Sequence, residues 1–332
     1  MHRAELDTPS SRGRASRSPR SRGRAFGIGV DAGFAIPDLP GWAAEDAGPR
    51  TTLEPASTAA LRKAWPSEGV ERLLERVLPD GRLWLIVEHH ETVGFHVWAS
   101  RHGRHLVSPD GARVRCALPR ISAWRWERLL FAQVLPLAAA LQGRDLFHAS
   151  AVVLDGAAIA FTGSSGAGKS SIAAHLVARG AALVTDDVLA LDSAGETVIV
   201  HPGAGLAGID ARELSAMSAA GRARLGAQLG VADKPYLAVT VVDEPLPLRA
   251  LYFITPGHGV ETTIETGSEM TPRLLGSGFI AYLRLPGHLL EHLDVCARIA
   301  RTVPTFEVSI PVRTGAPDVA RAVETHARSL LG

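Results

Sequence analysis

Gly163, Ser164, Ser165, Gly166, Ala167, Gly168, Lys169 and Ser170 satisfy the pattern G-x-x-x-x-G-K-[ST], and Ser171 follows directly. Glycines in such a loop let backbone N–H groups curl around the oxygens of a phosphate chain. A helix opening at Lys169 would turn its positive end toward the same oxygens. The Lys169 ammonium then reaches the β- and γ-phosphates, and the Ser170 hydroxyl offers a ligand to Mg2+. The pattern therefore predicts a site for ATP with Mg2+. Further along, Asp186 and Asp187 supply adjacent carboxylates. Beside a phosphate chain such a pair can divide two tasks, one carboxylate helping to hold the metal and the other taking the proton of an attacking hydroxyl. An isolated Asp-Asp pair more often only opens a turn, so its position decides.

The neighbouring residues supply that position. Residues 148–154 and 157–161 read as two strands joined by the turn pair Asp155-Gly156. The second strand runs into the glycine-rich loop. Beyond the loop, Ile172, Ala173, Leu176 and Val177 have helical spacing, and Arg179-Gly180 supply a cation and then a glycine as a stop. A third strand over residues 182–185 ends in Asp186-Asp187. A strand, loop, helix and parallel strand make a right-handed crossover, which brings the end of the third strand to the sheet edge that carries the loop. Both aspartates are thereby expected to face the phosphates. His148 opens the first strand and could approach the same place, although a histidine at a strand edge is more often structural.

Composition narrows the classes. The 332 residues allow one or two domains with a large core, and 46% hydrophobic with 21% charged residues is the balance of a globular chain. Mean hydropathy is +0.10. No apolar run is long enough to span a bilayer, and the arginine- and serine-rich start has no apolar stretch behind it, so a cytoplasmic protein without a membrane partner is expected. A net charge of +1 supplies no field for nucleic acid. Cys116 and Cys296 have no partner at metal-ligand spacing, and the histidines form no zinc pattern. Among the 35 basic residues, only Lys63, Lys169 and Lys234 are lysines.

Three segments are expected. Residues 1–26 carry seven arginines without apolar periodicity and read as a disordered tail, solvated in preference to a nucleic-acid arm. Residues 27–143 read as a small α+β region, with a strand at 83–87, turn signals at Pro79-Asp80-Gly81 and Pro109-Asp110-Gly111, and a buried helix over 124–142 stopped by Gly143. Residues 144–332 form the catalytic domain and end in a helix over 318–331.

The run from Phe147 and His148 through the hairpin and loop to Ser171, then Arg179-Gly180 and Leu183-Val184-Thr185-Asp186-Asp187-Val188, resembles the catalytic domain of HPr kinase/phosphorylase. It is more similar still to the HPr-kinase-like serine kinases of peptide natural-product clusters, lasso-peptide precursor kinases included. The resemblance is strong over residues 124–192 and faint beyond. It implies an α/β fold, a P-loop kinase core of the type shared with phosphoenolpyruvate carboxykinase, preceded by the small α+β region. It also implies an ATP-dependent kinase acting on a serine of a peptide or protein, and a homo-oligomer. Carried over residue by residue, His148 is the active-site histidine, Lys169 the loop lysine, Ser170 the magnesium hydroxyl, Asp187 the base and Asp186 the metal-supporting carboxylate.

Two departures follow. The acidic metal ligand expected after the next strand has no counterpart, with Asp210 and Glu213 only nearby. The loop that supports phosphorolysis is not recognisable, so kinase activity without the reverse reaction is expected. Lys234 falls where relatives carry a lysine near nucleotide or acceptor, and equally reads as a surface lysine. A small-molecule kinase with the same loop and base, and an ATP-binding switch without transfer, are the alternatives; the aspartate pair speaks against the switch.

Overall fold

The computed structural model describes residues 20–41, 48–257, 261–280, 282–283, 288–311 and 314–332. The chain opens with β1 (Ser21–Ala25), β2 (Ile28–Ala32), β3 (Arg50–Pro55), α1 (Thr58–Ala64), β4 (Glu71–Val77), β5 (Leu83–His90), β6 (Gly94–Ala99), β7 (Gly103–Val107) and β8 (Arg113–Ala117). Among the described residues these strands form an eight-stranded sheet in the order β1-β2-β3-β8-β7-β6-β5-β4. Only the β2–β3 and β3–β8 pairs are parallel.

β1 corrects part of the expected disordered tail. Ser21 to Ala25 pair with Ile28 to Ala32 across a turn at Phe26-Gly27. Arginines alternate there with small residues, so Gly23 and Ala25 are buried while Arg22 reaches Asp31 at 2.6 Å. Compositional bias hid a period of two, which is that of a half-buried strand. Residues 1–19 of that tail lie outside the described residues.

The single helix expected over 124–142 is three pieces: α2 (Ala123–Leu129), a π-helical turn (Leu130–Val134) and α3 (Leu135–Leu141). Pro136 stands in the first turn of α3, and in a regular helix its ring would meet the Ala132 carbonyl. The wider turn accommodates it. Gly143, at φ +85°, ends the run as expected.

The remainder comprises β9 (Asp145–Phe147), β10 (Ala149–Leu154), β11 (Ala157–Gly163), α4 (Lys169–Ala178), β12 (Ala182–Thr185), β13 (Leu189–Asp192), β14 (Ile199–His201) and β15 (Leu206–Gly208). Then come α5 (Ala211–Ala216), α6 (Ala219–Arg224), β16 (Ala227–Val231), β17 (Pro235–Ala238), β18 (Leu246–Gly257) and β19 (Thr263–Thr266). Last are α7 (Met270–Leu275), α8 (His288–Thr302), β20 (Thr305–Pro311) and α9 (Ala316–Leu331). The molecule is thus a mixed α/β protein. Its second sheet runs β12-β10-β11-β18-β14-β13-β9, with β20 beside β18, while β15, β17 and β16 form a small third sheet.

Asp155 and Gly156 both have positive φ, 47° and 80°, the backbone of the expected two-residue hairpin. β10 is antiparallel to both β11 and β12. The two outer strands therefore run parallel, as the crossover requires, with β10 between them. Alternation along β10 and β11 serves both faces of the sheet. Val152, Leu154, Ile159 and Phe161 pack against α4 and α9, whereas Ala149, Ala151, Ala158 and Ala160 belong to a core completed by Leu274, Cys296 and Ile299. Such burial on two sides is the reason these strands carry almost no polar residue. A further core joins the first sheet and the α2–α3 run to Val188, Ala190 and Ala204.

The loop leaves β11 where β18 passes closest. Gly163 has φ +146°, and a side chain there would stand 2.5 Å from the Ile254 carbonyl oxygen; Gly156, at φ +80°, faces open space. Gly163→Ala is expected to lower the unfolding free energy by about 2 kcal/mol or more, and Gly156→Ala by only about 1 kcal/mol. Urea midpoints compare them, and equal shifts would show that β18 does not constrain the loop.

Candidate functional site

Ser164, Ser165 and Gly166 are exposed, and Gly166 and Gly168 take left-handed backbone at φ +80° and +100°. The Ala167 N–H donates to the Ser164 carbonyl at 3.1 Å, closing the loop on itself. Gly168 is the N-cap of α4. The first-turn N–H groups of Lys169, Ser170 and Ser171 have no partner within the helix and point out of its N-terminus. Lys169 is 6% exposed. Its Nζ donates to the carbonyls of Gly163, at 2.9 Å, and Ser164, at 3.0 Å, so the ammonium lies across the root of the loop. Burial lowers its pKa, opposed by the charges of Asp187 and Asp186.

The two carboxylates at the end of β12 are held differently. Asp186 Oδ1 accepts from the Ser150 hydroxyl at 2.7 Å, and Oδ2 faces the Gly208 N–H at 3.4 Å. Ser150 is fully buried. Asp187 stands at φ +70°, a left-handed conformation that only asparagine and aspartate enter readily among residues with a side chain. His148 Nδ1 lies 3.0 Å from the Asp187 carbonyl oxygen and 3.3 Å from its Oδ1. A proton on Nδ1 is donated to the carbonyl oxygen, and the carboxylate lies within ion-pair distance. His148, which the sequence placed at the start of the strand, instead sits in the bend between β9 and β10, two residues before Ser150 of β10; one steadies each aspartate.

Asp187 is in contact with solvent on one side, with 52% of its side chain exposed. Burial of the rest, then the like charge of Asp186, hold its carboxyl above the usual carboxylate range, against the pull of His148, Lys234 and Lys169. Lys234 is therefore part of the site. Its stem lies so close to Gly208 that a side chain there would overlap it, and it lines a common cavity with Asp186 and Asp187.

Ser170 and Asp186 border one small cavity whose other walls are mostly apolar, Leu183, Ile209 and Leu225 among them. Among the described residues no cluster of three or more His, Cys, Asp or Glu side chains suits a metal. Mg2+ does not need one, because it is commonly held by one or two protein oxygens together with substrate phosphates and water. Asp210 is engaged in capping α5, accepting from Arg212 and Glu213 N–H, and Glu213 lies 3.6 Å from His175.

Sequence reasoning did not select Ser150 or the Gly208 N–H. The two-residue spacing from His148 could have found the first; nothing local marks the second. Cys116 and Cys296 are buried thiols. Among the described residues no helix is long and apolar enough to cross a membrane.

No known family model matches the chain. It is 44% identical over 55 residues to the HPr kinase/phosphorylase of Pelodictyon phaeoclathratiforme and 42% identical over 57 residues to that of Prosthecochloris aestuarii. Each match covers 17% of this chain and spans 17% of the relative's length. The solved structure of the Hpr(Ser) kinase/phosphatase from Coxiella burnetii aligns at 15% identity with a TM-score of 0.31, covering 55% of this chain and 88% of that one.

A carboxyl whose folded pKa is raised favours folding while neutral, and that contribution is lost as pH rises from the ordinary value of about 3.9 through the folded one. Asp187→Asn keeps the left-handed backbone and removes the charge, so it is expected to melt higher than the wild type at neutral pH and at the same temperature in acid. Asp187→Ala gives up about 1 kcal/mol of this to backbone strain. Melting curves across the acid-to-neutral range read both, and a destabilised Asn variant at neutral pH would contradict the raised pKa.

Proposed function

We propose that the chain is an ATP-dependent serine kinase that moves the γ-phosphate of Mg-ATP to a serine hydroxyl of a peptide or protein. One observation carries this reading: a buried lysine at the root of a glycine-rich loop and a pair of differently held aspartates converge on one place, and one of the pair has its pKa raised toward that of a working base. The local identity with two proteins named HPr kinase/phosphorylase supports it. In this reading residues 144–332 form a P-loop catalytic domain behind the α+β region of 27–143.

The loop from Gly163 to Ser170, with Ser171, binds the phosphate chain through backbone N–H groups, and Lys169 leaves its carbonyl partners to neutralise the β- and γ-oxygens. Ser170 and Asp186 would hold Mg2+, which neutralises charge on the phosphates. Asp187 accepts the proton as the serine oxygen attacks the γ-phosphorus and the bond to the β-bridging oxygen breaks, releasing ADP. His148 orients Asp187, and Ser150 keeps Asp186 turned away from it. The acceptors to test first are precursors of ribosomal peptide natural products, of the lasso type among others, in a cytoplasmic homo-oligomer.

Incubation with Mg-ATP and serine peptides, read by mass spectrometry, tests the reading. Asp187→Asn should slow transfer by roughly 10²- to 10⁴-fold with nucleotide affinity retained, whereas Lys169→Ala should weaken nucleotide binding itself. Because the base must be ionised, the rate should fall as pH drops through a pKa higher than about 3.9. Transfer that survives in Asp187→Asn would remove the base from the proposal.

A further inference from the structure

Asp186, Asp187 and Lys234 also line a cavity of about 230 Å3. Its walls come from distant parts of the chain: Phe26 from the β1–β2 turn, Trp84 from β5, Leu129 and Phe131 from the α2–α3 run, and Tyr236 from β17. Asp187 and Lys234 stand among the lining residues, so whatever fills the space lies next to the base.

Three features mark it as a recognition pocket. A cavity of about 150 Å3 takes up benzene, so this one can hold an aromatic ring or a branched aliphatic side chain, but not a length of peptide. Phe131, Ala132 and Gln133 of its lining belong to the π-helical turn Leu130–Val134, a distortion that recurs at functional sites. Arg128 on its rim is already engaged, reaching Asp233 at 3.2 Å and lying 4.0 Å over the Tyr236 ring, which ties α2 to β17. An acidic or basic side chain entering there finds that cation already paired.

We propose that this cavity receives a large apolar or aromatic side chain that neighbours the acceptor serine in a peptide. The inference rests on the kinase reading and narrows its acceptor from any serine to one flanked by such a residue. It also gives the first sheet a role in selecting substrate, through Trp84 and the Phe26 turn.

The test is a peptide array with one fixed serine and every neighbouring position varied, incubated with the full chain and Mg-ATP, with nucleotide binding measured in parallel. Leucine, phenylalanine, tyrosine or tryptophan should be selected at one position, with kcat/KM about tenfold or more above alanine there. Ala132→Phe, which fills the cavity, should raise KM for the preferred peptide more than it lowers kcat. Transfer indifferent to the neighbours, or selection of a charged residue, would overturn the pocket assignment and leave the kinase reading standing. Nucleotide binding with transfer only to small hydroxyl compounds would overturn the peptide acceptor and the pocket assignment with it. Failure to bind nucleotide would overturn the kinase reading itself.

Discussion

Asp187 sits in a left-handed backbone conformation at the end of β12, and the geometry of the candidate site follows from what keeps it there. Its carbonyl and carboxylate both face His148 Nδ1, while the preceding Asp186 is tied to Ser150. Both anchoring residues belong to the stretch around β10, the strand lodged between β11, which launches the loop, and β12, which ends in the aspartates. A single intervening strand thus sets the spacing between the glycine-rich loop and the acidic pair. Hydrogen bonds to a charged group are stronger than neutral ones, so Ser150 of β10 holds the Asp186 carboxylate more firmly than the short turn at 186–188 could alone.

That strand is in turn held by packing. Large residues on one face of β10 and β11 press against α4 and α9, and alanines on the other allow a second layer to approach closely. Immediately after Asp187, Val188 enters a third core shared with the first sheet and the α2–α3 run. The two regions of the chain therefore meet at the residue next to the candidate base. This junction explains why the cavity beside Asp187 is walled by residues from both, those of the distorted helical turn included.

The reading from residues alone reached much of this and missed in instructive ways. The hairpin at Asp155-Gly156 and the helix stops at Gly143 and Gly180 depend on backbone preferences that a few adjacent residues express, and they were legible. β1 was hidden because arginine content dominated the alternation of small residues that actually pairs it. The break in the helix at Leu130–Val134 was signalled by Pro136, but a proline near a helix start is also a common N-terminal signal, so the residue type could not choose between a break and a beginning. Lys234 read equally as a surface lysine, and only its approach to Gly208 and the aspartates brings it into the site.

The sequence by itself determined the glycine-rich loop, the strand and helix that flank it, and the carboxylates that end the next strand, because these rest on local spacing and on the backbone freedom of glycine. Tertiary structure alone decided which strand lies between them, which aspartate Ser150 holds and which His148 faces, and that Gln133, Tyr236 and Trp84 enclose a space beside the base. Those outcomes depend on contacts between residues far apart in the chain, where the packing of many side chains, rather than any one residue type, selects the partner.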